Sequence, residues 1–312
     1  MMKYTLEDIR SVFSQPKLLP YEANRIGIRM NQFYYGKVSA HKGINVMAQD
    51  WDNLLILDGC RFDMFRDQCG LTGRLEAKQS QGSSSWEFLS GNFGNKQFHD
   101  TIYITANPHT PKLPEETFFL TKNLLSEEWD AELKTVTPET VTEVTKSIAE
   151  EYPKKRIIVH FMQPHFPFIG SKGCKLDQRG ISPGPIGSGD TNQIWVRLKD
   201  PRSDVEIDEV REAYYENLDI VLPYVSDLLE YLNGKSVVTS DHGNLLGERT
   251  APVPARGYGH PSSLYVKNLT TVPWFVSEGG QRRDVAEGTP IDRDSLDDET
   301  ANERLRALGY VD

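Results

Sequence analysis

Positive charge is in short supply: 35 Lys and Arg stand against 45 Asp and Glu, a formal net charge of −10 over 312 residues. Non-specific nucleic-acid binding needs a basic footprint, so that class of function is excluded. Cysteine is scarce as well. Cys60, Cys69 and Cys174 are an odd number, too few for a disulfide framework, and they fit a reducing compartment. No apolar run reaches the roughly 20 residues of a membrane-spanning helix. The N-terminus lacks the basic-then-apolar pattern of a secretory signal, and no internal repeat is visible. The expectation from these absences is a soluble cytoplasmic protein with no membrane span; action at a membrane surface stays open.

What is present is material for a core. Hydrophobic residues make up 38% of the chain, enough for one large domain or two small ones. Residues 1–50 read as an accessory segment with helical spacing at Leu6–Phe13 and Tyr21–Phe33, broken at Tyr34-Tyr35-Gly36. Residues 51–276 read as the main α/β domain and 277–312 as a charged, mobile tail ending in a short helix at Asn302–Leu308. Trp51–Asp58 is a nearly continuous apolar run of the kind buried on both faces of a sheet. Thr101–Ala106, Arg156–Phe161 and Ser236–Thr239 read as further strands. Val272–Val276 is expected at a sheet edge because of Pro273.

Helices are expected at Arg61–Gln68, Glu139–Tyr152 and Asp204–Leu232, the last carrying a regular stripe of Val210, Tyr214, Leu218, Val221, Val225 and Leu229. Pro111–Pro138 has mixed signals and reads as irregular. Gly170–Asp200, rich in Gly, Ser and Pro, reads as a long loop or lid. Strands alternating with helices predict an α/β fold, a mostly parallel central sheet with helices on both faces.

The chemistry collects at strand ends. Ser236–Thr239 runs into Ser240-Asp241-His242-Gly243, an acid and an imidazole where ligands sit in parallel α/β sheets. Adjacent residues of an extended strand point to opposite faces, so Asp241 and His242 can share an ion only if the chain turns there; Gly243 permits that turn. Asp58-Gly59 repeats the pattern, and His165 follows a third strand by a few residues. His260 lies in Gly257-Tyr258-Gly259-His260-Pro261, where glycines let backbone approach a ligand. Ser83-Ser84-Ser85 precede Trp86, Phe88 and Leu89 as a helix start, where a serine is also an ordinary N-cap.

Taken in order, Asp58-Gly59, the serine cluster, Thr239-Ser240-Asp241-His242-Gly243 and Gly259-His260-Pro261 resemble the alkaline phosphatase/sulfatase superfamily. Within it the chain is similar to the sulfatase-like branch, through Gln163-Pro164-His165-Phe166-Pro167 and the terminal Glu303–Val311 segment. The resemblance covers Trp51 to the C-terminus and implies an alkaline-phosphatase-like fold. It further implies that Asp58, Asp241, His242 and a serine hold one divalent metal ion, with zinc or manganese favoured and magnesium or calcium the alternatives.

The nucleophile position falls on Ser85, with Ser84 second. His165 and His260 match positions that touch the transferred group or a second metal. No Asp-x-x-x-His segment supplies that second site, so one metal is expected. Arg61 offers donors for an anionic group. One departure is plain: no cysteine stands in the Cys-x-Pro-x-Arg setting from which sulfatases make formylglycine. The implied activity is therefore on phosphate rather than sulfate esters, by hydrolysis or by transfer, through an unmodified serine. The implied substrate is a small-molecule or glycan-linked phosphoester. The competing reading is a catalytically inactive member of the fold that serves as a binding or assembly module. Oligomeric state is not legible.

Overall fold

The computed structural model describes residues 19–38, 41–176, 194–199, 203–291 and 303–304. The helix expected at Leu6–Phe13, most of the Gly170–Asp200 lid and the terminal segment beyond Arg304 lie outside the described residues.

A 7-stranded sheet organises the chain, in the order β2-β9-β6-β1-β5-β3-β4. Its centre is β1 (Asn53–Leu57), buried at every position. It pairs in parallel with β5 (Arg156–Phe161) on one side and β6 (Gly234–Thr239) on the other. Beyond β5 lie β3 (Phe98–Thr105) and β4 (Phe118–Asn123), also parallel. Beyond β6 come β9 (Thr271–Gly279) and then β2 (Arg74–Gln79), both antiparallel to their neighbours.

The period of two in β1 assigns its residues to two cores. Leu55 and Leu57 face a layer formed by α2 (Phe62–Gln68), α4 (Pro138–Glu151) and α6 (Ile207–Tyr231), meeting Met64, Phe65, Val141, Val221 and Val225 among others. Leu54 and Ile56 face the opposite layer, where α3 (Ser85–Phe93) contributes Phe88, Leu89 and Phe93 beside Trp51. Helices therefore cover both faces, as the sequence pattern predicts. The stripe on α6 is buried at Val210, Tyr214, Leu218, Val221 and Val225.

Four expectations need correction. β9 is an interior strand, between β6 and β2. The carbonyl of Pro273 accepts from Thr239 Oγ1 on the β6 side, and the β6 ladder ends at Thr239↔Trp274. The missing N–H therefore falls just past the last ladder bond and costs none. The irregular stretch from Pro111 to Pro138 contains β4, whose Phe118 is buried beside Phe93 and Tyr103. The helix in the first fifty residues, α1, spans Leu19–Lys37 and carries through Gly36, because Tyr35 packs against Leu245, Leu264 and Leu269. The tail after β9 is pinned rather than loose as far as Ile291: Arg282 pairs with Asp50 and Asp52, and Ile291 N donates to Phe119 O.

A small hairpin of β7 (Leu245–Arg249) and β8 (Arg256–Gly259) follows the end of β6. A short helix, α7 (Lys267–Thr270), leads into β9. α1 docks on this hairpin through polar contacts. Asn31, fully buried, donates to Thr250 Oγ1 at 2.8 Å and to Val253 O at 2.7 Å, and accepts from Val253 N at 2.8 Å. Removing the amide leaves the Val253 N–H without its acceptor, while the Val253 carbonyl keeps Ala255 N at 2.8 Å. Asn31→Ala is expected to lower unfolding stability by about 1–3 kcal/mol, measured by urea denaturation, whereas substitution of exposed Met30 should change it little.

Candidate functional site

Four neighbouring parallel strands, β6, β1, β5 and β3, deliver polar residues at the same edge of the sheet. β1 ends on Asp58, β6 on Ser240-Asp241-His242, β5 leads to His165, and β3 leads to Asn107 and His109. α3 begins at Ser85 on the same edge. Asp58, Asp241 and His242 each offer one ligand atom, and these atoms all lie within 4.8 Å of one another. His242 Nε2 is 3.4 Å from Asp241 Oδ2 and 3.8 Å from Asp58 Oδ1. Ser85 Oγ lies 3.3 Å from Asp58 Oδ2 and 3.2 Å from His242 Nε2. The four side chains are fully buried and occupy one point.

Asp241 and His242 converge because the ladder ends at Thr239 and the chain turns. Gly243 serves this turn by size rather than by a left-handed conformation: a Cβ there would stand 2.2 Å from the Asn268 carbonyl oxygen. Gly59 is the conformational glycine, with φ of +64°, a region that penalises side chains. Its N–H donates to Asp241 Oδ1 at 2.9 Å. His242 N donates to the same oxygen at 2.8 Å. Asp241 Oδ2, in contrast, accepts no hydrogen bond among the described residues.

Ring orientation sets the tautomers. A carbonyl can only accept, so the contact of His242 Nδ1 with Gly243 O at 2.8 Å puts the proton on Nδ1 and the lone pair on Nε2, facing the carboxylates. His165 Nδ1 is held the same way by Phe166 O at 2.5 Å. Burial pushes the His165 imidazole below its ordinary value, so it is neutral with its basic nitrogen at Nε2. His260 is lowered further, by burial first and then by His242 and His165. Its ring stacks on His242 at 4.5 Å between centroids and meets His165 edge-on at 4.8 Å. Burial alone would raise Asp58, but a hydrogen bond from His160, with His165 and His242 alongside, holds it well below the usual carboxylate range.

The three serines separate by what they touch. Ser83 binds Glu87 through both N and Oγ at 2.9 Å and ties the chain to Pro261 and Leu264. Ser84 is the N-cap of α3, but its hydroxyl is taken by Ser262 Oγ at 3.0 Å. Ser85 alone of the three reaches the carboxylate cluster. Arg61, expected to present donors to an anion, is engaged by Asp63, Glu248 and the Asn244 carbonyl; four of its five N–H groups are used by protein.

Several residues of the site were not singled out from sequence. Asn107 Nδ2 donates to Asp58 Oδ2 at 2.7 Å. His160 approaches the same oxygen at 3.5 Å while Tyr103 OH holds its Nδ1 at 2.7 Å. Asn217 on α6 donates to the carbonyls of Pro164, His165 and Pro167, clamping the His165 loop. Glu87 accepts from Ser263 N and Oγ and from Tyr265 OH, joining the first turn of α3 to the loop that carries His260. The signal for Asn107 and His109 was their position after β3, the same strand-end rule that selects Asp58. Asn217 and Glu87 carry no signal, since both look like ordinary polar helix residues.

No family model matches the sequence, and no curated protein matches it. Solved structures do. The C-terminal periplasmic domain of EcEptC from Escherichia coli, in complex with Zn, matches at 14% identity with a TM-score of 0.44, covering 73% of this chain and 72% of that one. The soluble domain of lipooligosaccharide phosphoethanolamine transferase A from Neisseria meningitidis matches at 14% identity and 0.45, covering 72% and 75%. The lipoteichoic acid synthase LtaP from Listeria monocytogenes matches at 12% and 0.40, covering 82% and 72%. These are likenesses of fold. At such identities and scores they leave the activity to be argued from the site itself.

The expectation of a cytoplasmic protein is corrected here, because the first of these matches is a periplasmic domain. The three cysteines, read from sequence as fitting a reducing compartment, do not decide the matter: all three are free, and Cys60 is buried with its thiol pushed up by burial. No helix among the described residues is long and apolar enough to cross a membrane.

His109 gives the site an acid-sensitive element. Burial first, then the Lys112 ammonium 2.9 Å from its Nδ1, lowers it to about 3. As pH falls below the ordinary histidine value of about 6.5, the unfolded chain takes up a proton that the folded chain refuses. This contribution to stability is therefore lost progressively from about pH 6.5 down to about 3. In thermal melts across that window, His109→Gln should show a shallower fall of Tm than the parent; an unchanged slope would refute the assignment.

Proposed function

We propose that the chain is a metal-dependent phosphoester hydrolase or phosphotransferase in which Ser85 is the nucleophile. The observation that carries this reading is the meeting of Ser85 Oγ with Asp58 and His242 beside Asp241. The residues fit a divalent cation. Asp241 Oδ2 is buried and accepts from no donor among the described residues, an expensive state for a carboxylate oxygen unless a cation meets it. Two carboxylates, an imidazole with its lone pair turned inward and a hydroxyl are a ligand set suited to zinc or manganese, and acceptable to magnesium. When bound, the ion supplies a lowered pKa for the serine hydroxyl and neutralises charge on the phosphoryl oxygens.

The chain's own residues supply the rest. Ser85 is the first residue of α3, so the phosphoryl group would sit at a helix N-terminus where unpaired N–H groups favour anions. Asn107 and His160 orient Asp58, and Gly59 N–H fixes Asp241, so the first is held from one side and the second from the other. Ser85 gives up its hydroxyl proton to solvent as Oγ forms the new bond to phosphorus, and the ester oxygen departs with the P–O electron pair and takes a proton from solvent, giving a phosphoseryl intermediate that water or an alcohol discharges. His260 stacks on His242 and meets His165 edge-on; protonated at Nε2 beside a bound anion, His165 would donate to a phosphoryl oxygen, with His260 as the second contact. His260 is only half-buried and marks the side from which substrate enters. The absence of a modifiable cysteine directs the reading to phosphate esters, small-molecule or glycan-linked.

Elemental analysis of the purified protein, with turnover of bis(p-nitrophenyl) phosphate and p-nitrophenyl phosphate, tests the reading. Asp241→Ala should lose the metal. Ser85→Ala should keep it and lower turnover by on the order of 10³ or more, while Ser84→Ala stays within a few-fold of the parent. Metal without turnover, indifferent to Ser85→Ala, would show a binding module instead.

A further inference from the structure

We propose that Asn244 is a phosphate contact, its side-chain Nδ2 donating to a non-bridging oxygen of a phosphate group held beside Ser85. The description of that group as substrate rests on the enzymatic reading above; the donation to a phosphate oxygen is tested apart from it.

Asn244 follows Gly243 in the turn between β6 and β7, and its side chain is fully buried. Arg61 holds its backbone, with Nη1 donating to the Asn244 carbonyl at 3.2 Å. The two ends of the amide are in different situations. Oδ1 stands 3.4 Å from His260 Nδ1. An amide carries its acceptor and its NH2 group on opposite sides of one carbon, so with Oδ1 turned to His260 the NH2 faces away from it. Nδ2 has no acceptor among the described residues. Buried N–H groups are nearly always paired, and one left without an acceptor costs free energy.

The NH2 group lies at the reacting centre. A Cβ on Gly59 would stand 3.6 Å from Asn244 Nδ2, 3.6 Å from His242 Cε1 and 3.4 Å from His165 Cδ2. Three side chains thus surround one spot that the glycine leaves open. His242 Cε1 is bonded to the Nε2 that lies 3.2 Å from Ser85 Oγ, so Asn244 stands across this spot from the imidazole that touches the nucleophile.

Two buried groups of opposite sense are therefore left over in one site. Asp241 Oδ2 accepts from no donor and Asn244 Nδ2 finds no acceptor among the described residues, yet they do not pair with each other. A cation answers the carboxylate oxygen. It cannot answer an N–H, which needs a lone pair brought by a second ligand. A phosphate oxygen beside the cation supplies that lone pair, and a hydrogen bond to an ionised acceptor is of the stronger class.

The test is calorimetric titration of inorganic phosphate into the metal-loaded full chain, with elemental analysis of each variant. Asn244→Ala should keep the metal and weaken phosphate binding at least tenfold. Asn244→Asp has the same shape and keeps an acceptor for His260 Nδ1, but it presents an oxygen where the donor was. At about pH 8, where a carboxyl is ionised, it should lose phosphate at least as far as Asn244→Ala. A residue that served only to hold His260 would instead leave Asn244→Asp binding phosphate as the parent does, and that result overturns the proposal. So does phosphate binding indifferent to Asn244→Ala, or a parent that binds no phosphate. Loss of the metal in Asn244→Ala with retention in Asn244→Asp also overturns it, by placing Oδ1 on the cation. A fall in kcat/KM for p-nitrophenyl phosphate that matches the lost phosphate affinity places the oxygen on the substrate; weakened phosphate with unchanged kcat/KM places it on free phosphate. Phosphate binding that depends on Asn244, in a parent that turns over no ester, would sink the enzymatic reading alone and leave this contact standing.

Discussion

Two carboxylates, Asp58 and Asp241, are fully buried a few ångströms apart at the rim of one sheet. Like charges without water repel strongly and are costly to desolvate, so this pair persists only if the surroundings answer it. Much of the architecture can be understood as that answer. Backbone N–H groups of Gly59 and His242 converge on Asp241 Oδ1. Asn107, His160 and Ser85 converge on Asp58 Oδ2. The donors come from the ends of four strands, β1, β6, β5 and β3, and the start of a helix, so the charge pair and the order of the sheet depend on each other. What protein groups leave unanswered is Asp241 Oδ2, and a cation is the natural complement.

The sheet was legible in sequence where strands are apolar and central. β1 and β5 declare themselves as continuous aliphatic runs, and the α6 stripe has a regular helical period. The strands that escaped reading are those whose residues serve a different logic. β2, with Arg74, Glu76 and Lys78, carries charges because it lies at an edge, and such a strand has no hydrophobic signature. β4 is short and set among turns. Pro273 misdirected the placement of β9 because a proline in a strand counts against interior position only when its nitrogen faces a ladder bond.

The site was legible to the extent that its residues sit at strand ends in types suited to metal and phosphate. Asp58, Asp241 and His242 stood out on that ground, Ser85 through the family resemblance and its place at a helix start, and the structure brings the four to one point. Arg61 was read from proximity to Asp58 in sequence, but its forked donors meet Asp63 and Glu248 instead. The choice among Ser83, Ser84 and Ser85 turns on where the helix begins. Ser84 is an extended N-cap and Ser83 lies before it, so their hydroxyls turn elsewhere, and only the first helical residue faces the carboxylates. The supporting groups, Glu87 and Asn217, were invisible, because their roles depend on loops that approach from elsewhere in the chain.

Asn217 illustrates how the scaffold and the chemistry are mechanically connected. It sits on α6 between core residues Tyr214, Leu218 and Val221, yet its amide grips three carbonyls of the loop that presents His165. Any slide or rotation of this 25-residue helix over the sheet is therefore transmitted to an imidazole of the candidate site. Under the proposed function, lesions at buried leucines several turns away would surface as altered turnover before they surfaced as unfolding, and suppressors of a damaged His165 loop should be sought along the length of that helix.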